Sequence, residues 1–370
     1  MAAVPFLIDA HLDLATNAVH LNRDLRLPVQ EIRARERELG QTDYPDRGNG
    51  TVAFPELRRG GIGLVWGTLI ARYAARGTAA PANLALPGWQ SPEQAYAAAR
   101  GQLVWYREME RVGELTPITT RAQLDAHTAR YRGRGKQEDL PIGYVLALEG
   151  ADSIVTLHHL HAYYAEGLRS IGPAHFGPGR YGAGTQSDGS GLTAAGRELL
   201  REMNQLGILL DLTHLTDRGF LEALKVYHGP VLASHQNCRA LVPGERQFSD
   251  AQLRAVIARG GVVGGALDAW MLEPGYRRGG ASPRELGITL ERIVDHYDHV
   301  CQLAGTADHI GIGSDLDGLF GIEQTPYDLD TIADLARLPE LLRRRGYAAE
   351  DVDKVLYGNF ARLLGEALPA

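Results

Sequence analysis

The sequence predicts a (β/α)₈ barrel of the α/β class on three observations: eight short apolar runs, a polar or helix-like stretch after each, and His or carboxylate residues where five runs end. The runs, rich in Ile, Val and Leu, fall at 6–11, 62–69, 142–149, 168–175, 208–214, 231–235, 261–267 and 309–315. Helical periodicity marks 192–206, 217–227, 250–259 and 282–303, with Thr193, Ser249 and Ser282 as candidate N-caps and Gly207 and Gly260 as C-terminal stops. Strand then helix, eight times over, is the pattern of a closed parallel barrel rather than an open sheet with separate lobes. The 370 residues then read as a single domain, 1–370, with long insertions at about 14–60 and 70–140 acting as lids or flanking helices. Tyr131-Arg132-Gly133-Arg134-Gly135 reads as an exposed loop, and no repeat of fixed period stands out.

Composition narrows the function. With 44% hydrophobic and 22% charged residues the chain is globular rather than disordered. A net charge of −7 without long runs of one sign gives no footprint for nucleic acid or an anionic membrane, so small molecules are the expected partners. Cys238 and Cys301 are too few for a disulfide framework and lack thiolate-metal spacing, which fits a cytoplasmic protein. Met1 leads straight into Phe6-Leu7-Ile8-Asp9-Ala10-His11, without the charged and long apolar regions of a signal peptide. No segment approaches the roughly 20 apolar residues of a membrane span.

Chemistry gathers at the strand ends. In a parallel barrel these ends share one face, so His11 and Asp13, Glu149, His214, His235 and Asp315 converge from distant stretches. His11 and Asp13 are two apart, a spacing that on a strand turns both side chains the same way. Singly, each residue has a plainer reading, such as a turn cap or a hydrogen-bonded core histidine; it is their coincidence at strand ends that points to a metal site. Imidazole and carboxylate ligands without cysteine suit zinc by default, with manganese, cobalt or ferrous iron as alternatives. Two ions about 3.5 to 4 Å apart need a bridging group. None of the three lysines, Lys136, Lys225 and Lys354, lies at a strand end to be carboxylated, so Glu149 is the candidate bridge.

Several blocks carry a resemblance to the membrane (renal-type) dipeptidases, peptidase family M19, within the amidohydrolase-like metal-dependent hydrolases. They are His11-Leu12-Asp13-Leu14, Leu148-Glu149-Gly150, Asp211-Leu212-Thr213-His214, Ser234-His235-Gln236-Asn237-Cys238-Arg239-Ala240-Leu241, Gly313-Ser314-Asp315-Leu316-Asp317-Gly318 and Gly358-Asn359-Phe360. The resemblance covers nearly the whole chain. It implies two zinc ions, with His11 and Asp13 on one, His214 and His235 on the other, Glu149 between them, and a hydroxide shared by the ions as nucleophile. It further implies hydrolysis of a dipeptide, tolerance of a D-residue at the C-terminal position, and a homodimer. Asp315 resembles the family's proton-transferring aspartate, His175 its oxyanion-stabilising histidine, and Arg239 the residue that grips the substrate carboxylate. The plainer alternatives are a hydrogen-bond acceptor for Asp315, a loop cap for His175 and a surface ion pair for Arg239. A related two-metal hydrolase of lactones, cyclic amides or esters, or a barrel that only binds, are the rival functions. Two stretches depart from the family pattern: Ala174-His175-Phe176-Gly177 lacks the usual Thr-His-x-x-x-Asn, and Gly264-Gly265-Ala266-Leu267-Asp268-Ala269-Trp270 replaces an Asn-Phe-Tyr-type ending.

Overall fold

A computed structural model of the chain describes residues 5–74, 88–133 and 139–370. Among these residues nine strands form in order: β1 (Leu7–Leu12), β2 (Ile62–Ile70), β3 (Leu115–Pro117), β4 (Ile142–Glu149), β5 (Leu168–Gly172), β6 (Leu209–Asp211), β7 (Val231–Ala233), β8 (Val262–Gly265) and β9 (Ile310–Ile312). All pairings between them are parallel, and eight close on themselves: β1 pairs with β2 and β9, and β2 pairs with β4. The eight predicted runs are these eight strands. β3 is an addition the apolar pattern does not reveal; it pairs with Ile142–Tyr144, ahead of the stretch of β4 that β5 joins.

Period-two alternation sorts the side chains. Along β4, Val145 and Ala147 enter the inner core with Ile8, Leu64 and Trp66, while Tyr144, Leu146 and Leu148 pack outward under the helices. Glu149 is next on the inward side and so reaches the barrel mouth. The helix Asn359–Ala367 adds Phe360, Leu363 and Leu364 to this inner cluster.

Capping explains where helices begin. Thr193 and Ser249 accept from the backbone N–H three residues on, and Gly207 takes a left-handed φ of 69° at its helix end, as predicted. Ser282 does not start a long helix. Its reciprocal bonds with Glu285 cap a single turn, Gly287 leaves the helical region at φ +67°, and the helix begins at Arg292. The predicted exposed loop at 131–135 is also corrected: Tyr131 and Arg132 close the helix Arg121–Arg132, and Tyr131 is buried beside Phe6. Arg134 and Gly135 lie outside the described residues.

Arg23 is a buried cation that ties together the insertion after β1. Arg23 donates to Glu36 Oε1 at 2.8 Å and Asn17 Oδ1 at 2.6 Å and pairs with Asp46 at 2.8 Å. Removing one partner of such a cluster leaves buried charge unmatched. Arg23→Ala is expected to lower unfolding free energy by about 3–5 kcal/mol in urea titration; a loss under about 1 kcal/mol would show the network to be incidental. Among the described residues no helix is long and apolar enough to cross a membrane.

Candidate functional site

The strand ends deliver their ligands by different local devices. Between the pairs Asp9↔Val65 and Leu12↔Gly67, β1 carries one residue more than β2, a bulge that turns His11 to the mouth. Asp13 lies beyond β1 and begins the helix Leu14–Val19, so strand alternation does not align it with His11. Pro173, which has no N–H for the ladder, ends β5 before His175. His214 and Asp315 follow β6 and β9 with φ of 67° and 58°, left-handed conformations that break the extended run and aim the side chains inward.

Glu149 sits at the centre. Its Oε1 lies 3.2 Å from His214 Nε2, 3.3 Å from His235 Nε2, 3.5 Å from His11 Nε2 and 3.7 Å from His175 Nε2. His11 Nε2 is also 3.9 Å from Asp13 and 3.8 Å from Asp315. Three sets of ligand atoms result: His11, Glu149 and His235; Glu149, His175 and His214; His11, Asp13 and Asp315. The structure thus brings together every predicted ligand, together with His175 and Asp315.

Further polar groups orient this set. Ser234 Oγ faces His235 Nδ1 at 2.9 Å and Thr185 Oγ1 faces His214 Nδ1 at 3.2 Å, leaving each Nε2 toward Glu149. Thr68 donates to Asp13. Asp9 accepts from the backbone of His11 and Ser314, and Asp211 from Thr213 and Ser234, so a buried and a half-buried carboxylate tie neighbouring strand ends. Asn17 donates to the carbonyls of Asp13 and Asp317 at 3.0 and 2.9 Å, joining the loops that follow β1 and β9. Gly318 admits no side chain, because a Cβ there would lie 2.3 Å from Asp315 Oδ1.

Electrostatics follow from burial and the carboxylates. Burial opposes the charged form of His11, but Glu149, Asp13 and Asp315 outweigh it and raise its imidazole to about 10. Burial keeps His214 and His235 neutral and lowers His175 to about 4. Glu149 is desolvated as well, yet the surrounding imidazoles hold it well below the carboxylate range. Burial raises Asp315 well above that range and Asp13 to about 6, each pushed further by Glu149. Neutral Nε2 atoms facing each other at 3.1 Å across a carboxylate, a buried His11 Nε2 without a hydrogen-bond partner among the described residues, and a field that draws positive charge inward are what a divalent cation would satisfy. The donor set fits such an ion.

Above the cluster lies a cavity of about 490 Å³, the scale of a small-molecule site. Asp13, Glu149, His175, His214, His235 and Asp315 line it. Arg239 does not. Its guanidinium lies at the surface, bonded to both oxygens of Asp217 at 2.7 and 2.8 Å, the plainer alternative for this residue. Of the three arginines that line the cavity, Arg277 and Arg278 are exposed and Arg246 is buried, 3% exposed, donating to Gln236 Oε1 and to the carbonyl of His235. Among the described residues it has no carboxylate within ion-pair distance. The sequence offers two arginines within eleven residues after His235, and only the path of the loop shows which one turns back to the mouth.

Comparison with known proteins agrees with this architecture. Residues 2–369 match the family described as membrane dipeptidase (Peptidase family M19). A Klebsiella pneumoniae protein described only as uncharacterized, from the pqqA 5' region, is 36% identical over 236 residues, 62% of this chain and 83% of that protein. Dipeptidase tcpJ of Claviceps purpurea is 29% identical over 234 residues, 60% of this chain but 51% of that protein, so the chain spans about half the length of that relative. Among solved structures, a metallopeptidase of Rhodobacter sphaeroides liganded with a phosphinate mimic of the dipeptide L-Ala-D-Ala superposes with a TM-score of 0.77 at 27% identity, covering 98% of this chain and 99% of that one. A dipeptidase described as a family M19 metallopeptidase gives 0.78 at 27% identity, covering 99% and 100%. With the matching fold and the clustered ligands, this shows that the chain is a metal-dependent hydrolase belonging to the membrane dipeptidase family, peptidase family M19.

Proposed function

We propose that the chain, acting as one barrel domain with its two insertions, hydrolyses the amide bond of dipeptides with two zinc ions, His11 and Asp13 holding one, His214 and His235 the other, and Glu149 both. The observation that carries this reading is a buried carboxylate ringed by four imidazoles beneath a cavity that also presents a buried guanidinium with no carboxylate partner among the described residues. Bound zinc supplies Lewis acidity, lowering the pKa of water and polarising a carbonyl. The chain's own residues do the rest. Arg246 binds the substrate's C-terminal carboxylate through the N–H groups left free by Gln236 and His235. Asp315, on the cavity wall with its carboxylate 3.8 Å from His11 Nε2, takes the attacking water's proton in its ionised form and passes it to the departing nitrogen. His175, neutral and on the cavity wall, donates a hydrogen bond to the oxygen on which negative charge develops. The Rhodobacter sphaeroides relative's ligand, a mimic of L-Ala-D-Ala, supports acceptance of a D-residue at the C-terminal position.

The test is hydrolysis of a dipeptide panel that includes D-residues and C-terminal amides. Activity on free dipeptides is expected to vanish with a chelator, return with zinc at two ions per chain, and fall sharply when the C-terminus is amidated. Full activity in metal-free protein, or no turnover of any dipeptide by zinc-loaded protein, would refute the reading.

A further inference from the structure

The cavity wall carries a second polar pair that takes no part in the cluster. Asp268 follows β8, Gln324 follows β9, and both line the cavity while buried, at 5% and 6% exposure. Gln324 Nε2 donates to both carboxylate oxygens of Asp268 at 2.8 and 2.9 Å, and the Ala269 backbone N–H donates to the Gln324 backbone carbonyl. Because the amide nitrogen is committed to the carboxylate, Gln324 Oε1 must face elsewhere, and it has no hydrogen-bond partner among the described residues. Asp268 also accepts from the Trp270 backbone N–H, the Trp270 side chain acts on it as a further donor, and among the described residues it has no ion-pair partner. Arg278, whose field reaches Asp268, is engaged by the Leu319 carbonyl at 2.6 Å and by Glu323 at 3.5 Å.

Burial pushes the Asp268 carboxyl up to about 7 despite the field of Arg278, and a buried carboxylate without an ion-pair partner and a buried amide oxygen without a donor are both costly. One chemical group relieves both: a cation rich in N–H donors. Asp268 stands in the stretch where this chain departs from the Asn-Phe-Tyr-type ending, so the pair is not carried over from the resemblance. We propose that Asp268 and Gln324 form an ammonium subsite that selects dipeptides presenting a protonated amine there, either the free N-terminus or a lysine-type side chain. Trp270 and Met271 on the same wall offer apolar surface to the methylenes that carry such an amine. The inference rests on the dipeptide reading and sharpens it.

Two ratios of kcat/KM test it on zinc-loaded protein. One compares lysine with norleucine at each position of an alanine-containing dipeptide; the other compares free with N-acetylated dipeptides. At least one ratio is expected to favour the amine by about tenfold or more, and Asp268→Asn, which keeps a cap for Trp270, is expected to bring it near one while sparing the norleucine or acetylated substrate. Collapse of the first ratio assigns the subsite to a side chain, collapse of the second to the N-terminus. Ratios near one in the wild type, or unchanged in folded Asp268→Asn, overturn the proposal. Should that variant fail to fold by circular dichroism, Gln324→Leu takes its place: a collapsed ratio supports the subsite and an unchanged one overturns it. If the wild type turns over no dipeptide, the dipeptide function falls by itself, and calorimetric affinities for the same pairs decide the subsite: tighter binding of the amine form supports it, equal binding overturns it.

Discussion

Glu149→Gln is expected to release bound metal and to lower kcat/KM on dipeptides by more than about 10³-fold. The substitution keeps shape and volume and removes only charge and acceptor capacity. Four imidazole Nε2 atoms lie within 3.7 Å of the carboxylate, and the His214 and His235 nitrogens are 3.1 Å apart. With an amide in place of the carboxylate, those neutral rings would have to hold a cation without the anion between them, and His11 would lose the largest of the charges that raise it. Since every set of possible ligands except His11, Asp13 and Asp315 contains Glu149, metal content should fall to one ion or fewer per chain. Elemental analysis after desalting, with circular dichroism to confirm folding, measures this directly. A folded variant holding two ions with activity within tenfold of the original would remove Glu149 from the centre of the site.

That Glu149 could be singled out from sequence at all depended on an exclusion: no lysine lies at a strand end, so a carboxylate had to serve. The eight barrel strands were legible for a similar reason, since buried parallel strands read as apolar runs whose spacing survives any loop length. Their ends were less so. Pro173 and the left-handed backbones of His214 and Asp315 stop strands before the functional residue, and a φ angle leaves no mark on an apolar pattern. β3, three residues long and ending in Pro117, is too short to show a period. Tyr131 was lost among neighbouring Arg and Gly residues, although its ring packs in the inner core. The supporting hydrogen bonds could not be read, because Asn17 and Asp317, or Asp9 and Ser314, are about 300 residues apart and only the closed barrel joins them.

The choice between Arg239 and Arg246 turns on the same kind of information and yields the second large effect. Arg246→Ala is expected to lower kcat/KM on free dipeptides by about 10²- to 10³-fold, the range measured when a buried charge loses its partner. Dipeptide amides, which offer no carboxylate, should lose far less. Arg239→Ala should change neither substrate by more than about twofold, because its guanidinium is already matched by Asp217 at an exposed position, where ion pairs contribute little. Arg246 also donates to the His235 carbonyl, so a purely structural role would disturb the cluster and depress both substrate classes together. The differential between acid and amide separates these cases, and Arg246→Lys, which keeps charge but not the planar fork, should recover part of the loss on free dipeptides only. Equal losses on acids and amides would make Arg246 a support for His235, while an acid-selective loss in Arg239→Ala would require the surface pair with Asp217 to open and would return the carboxylate to Arg239.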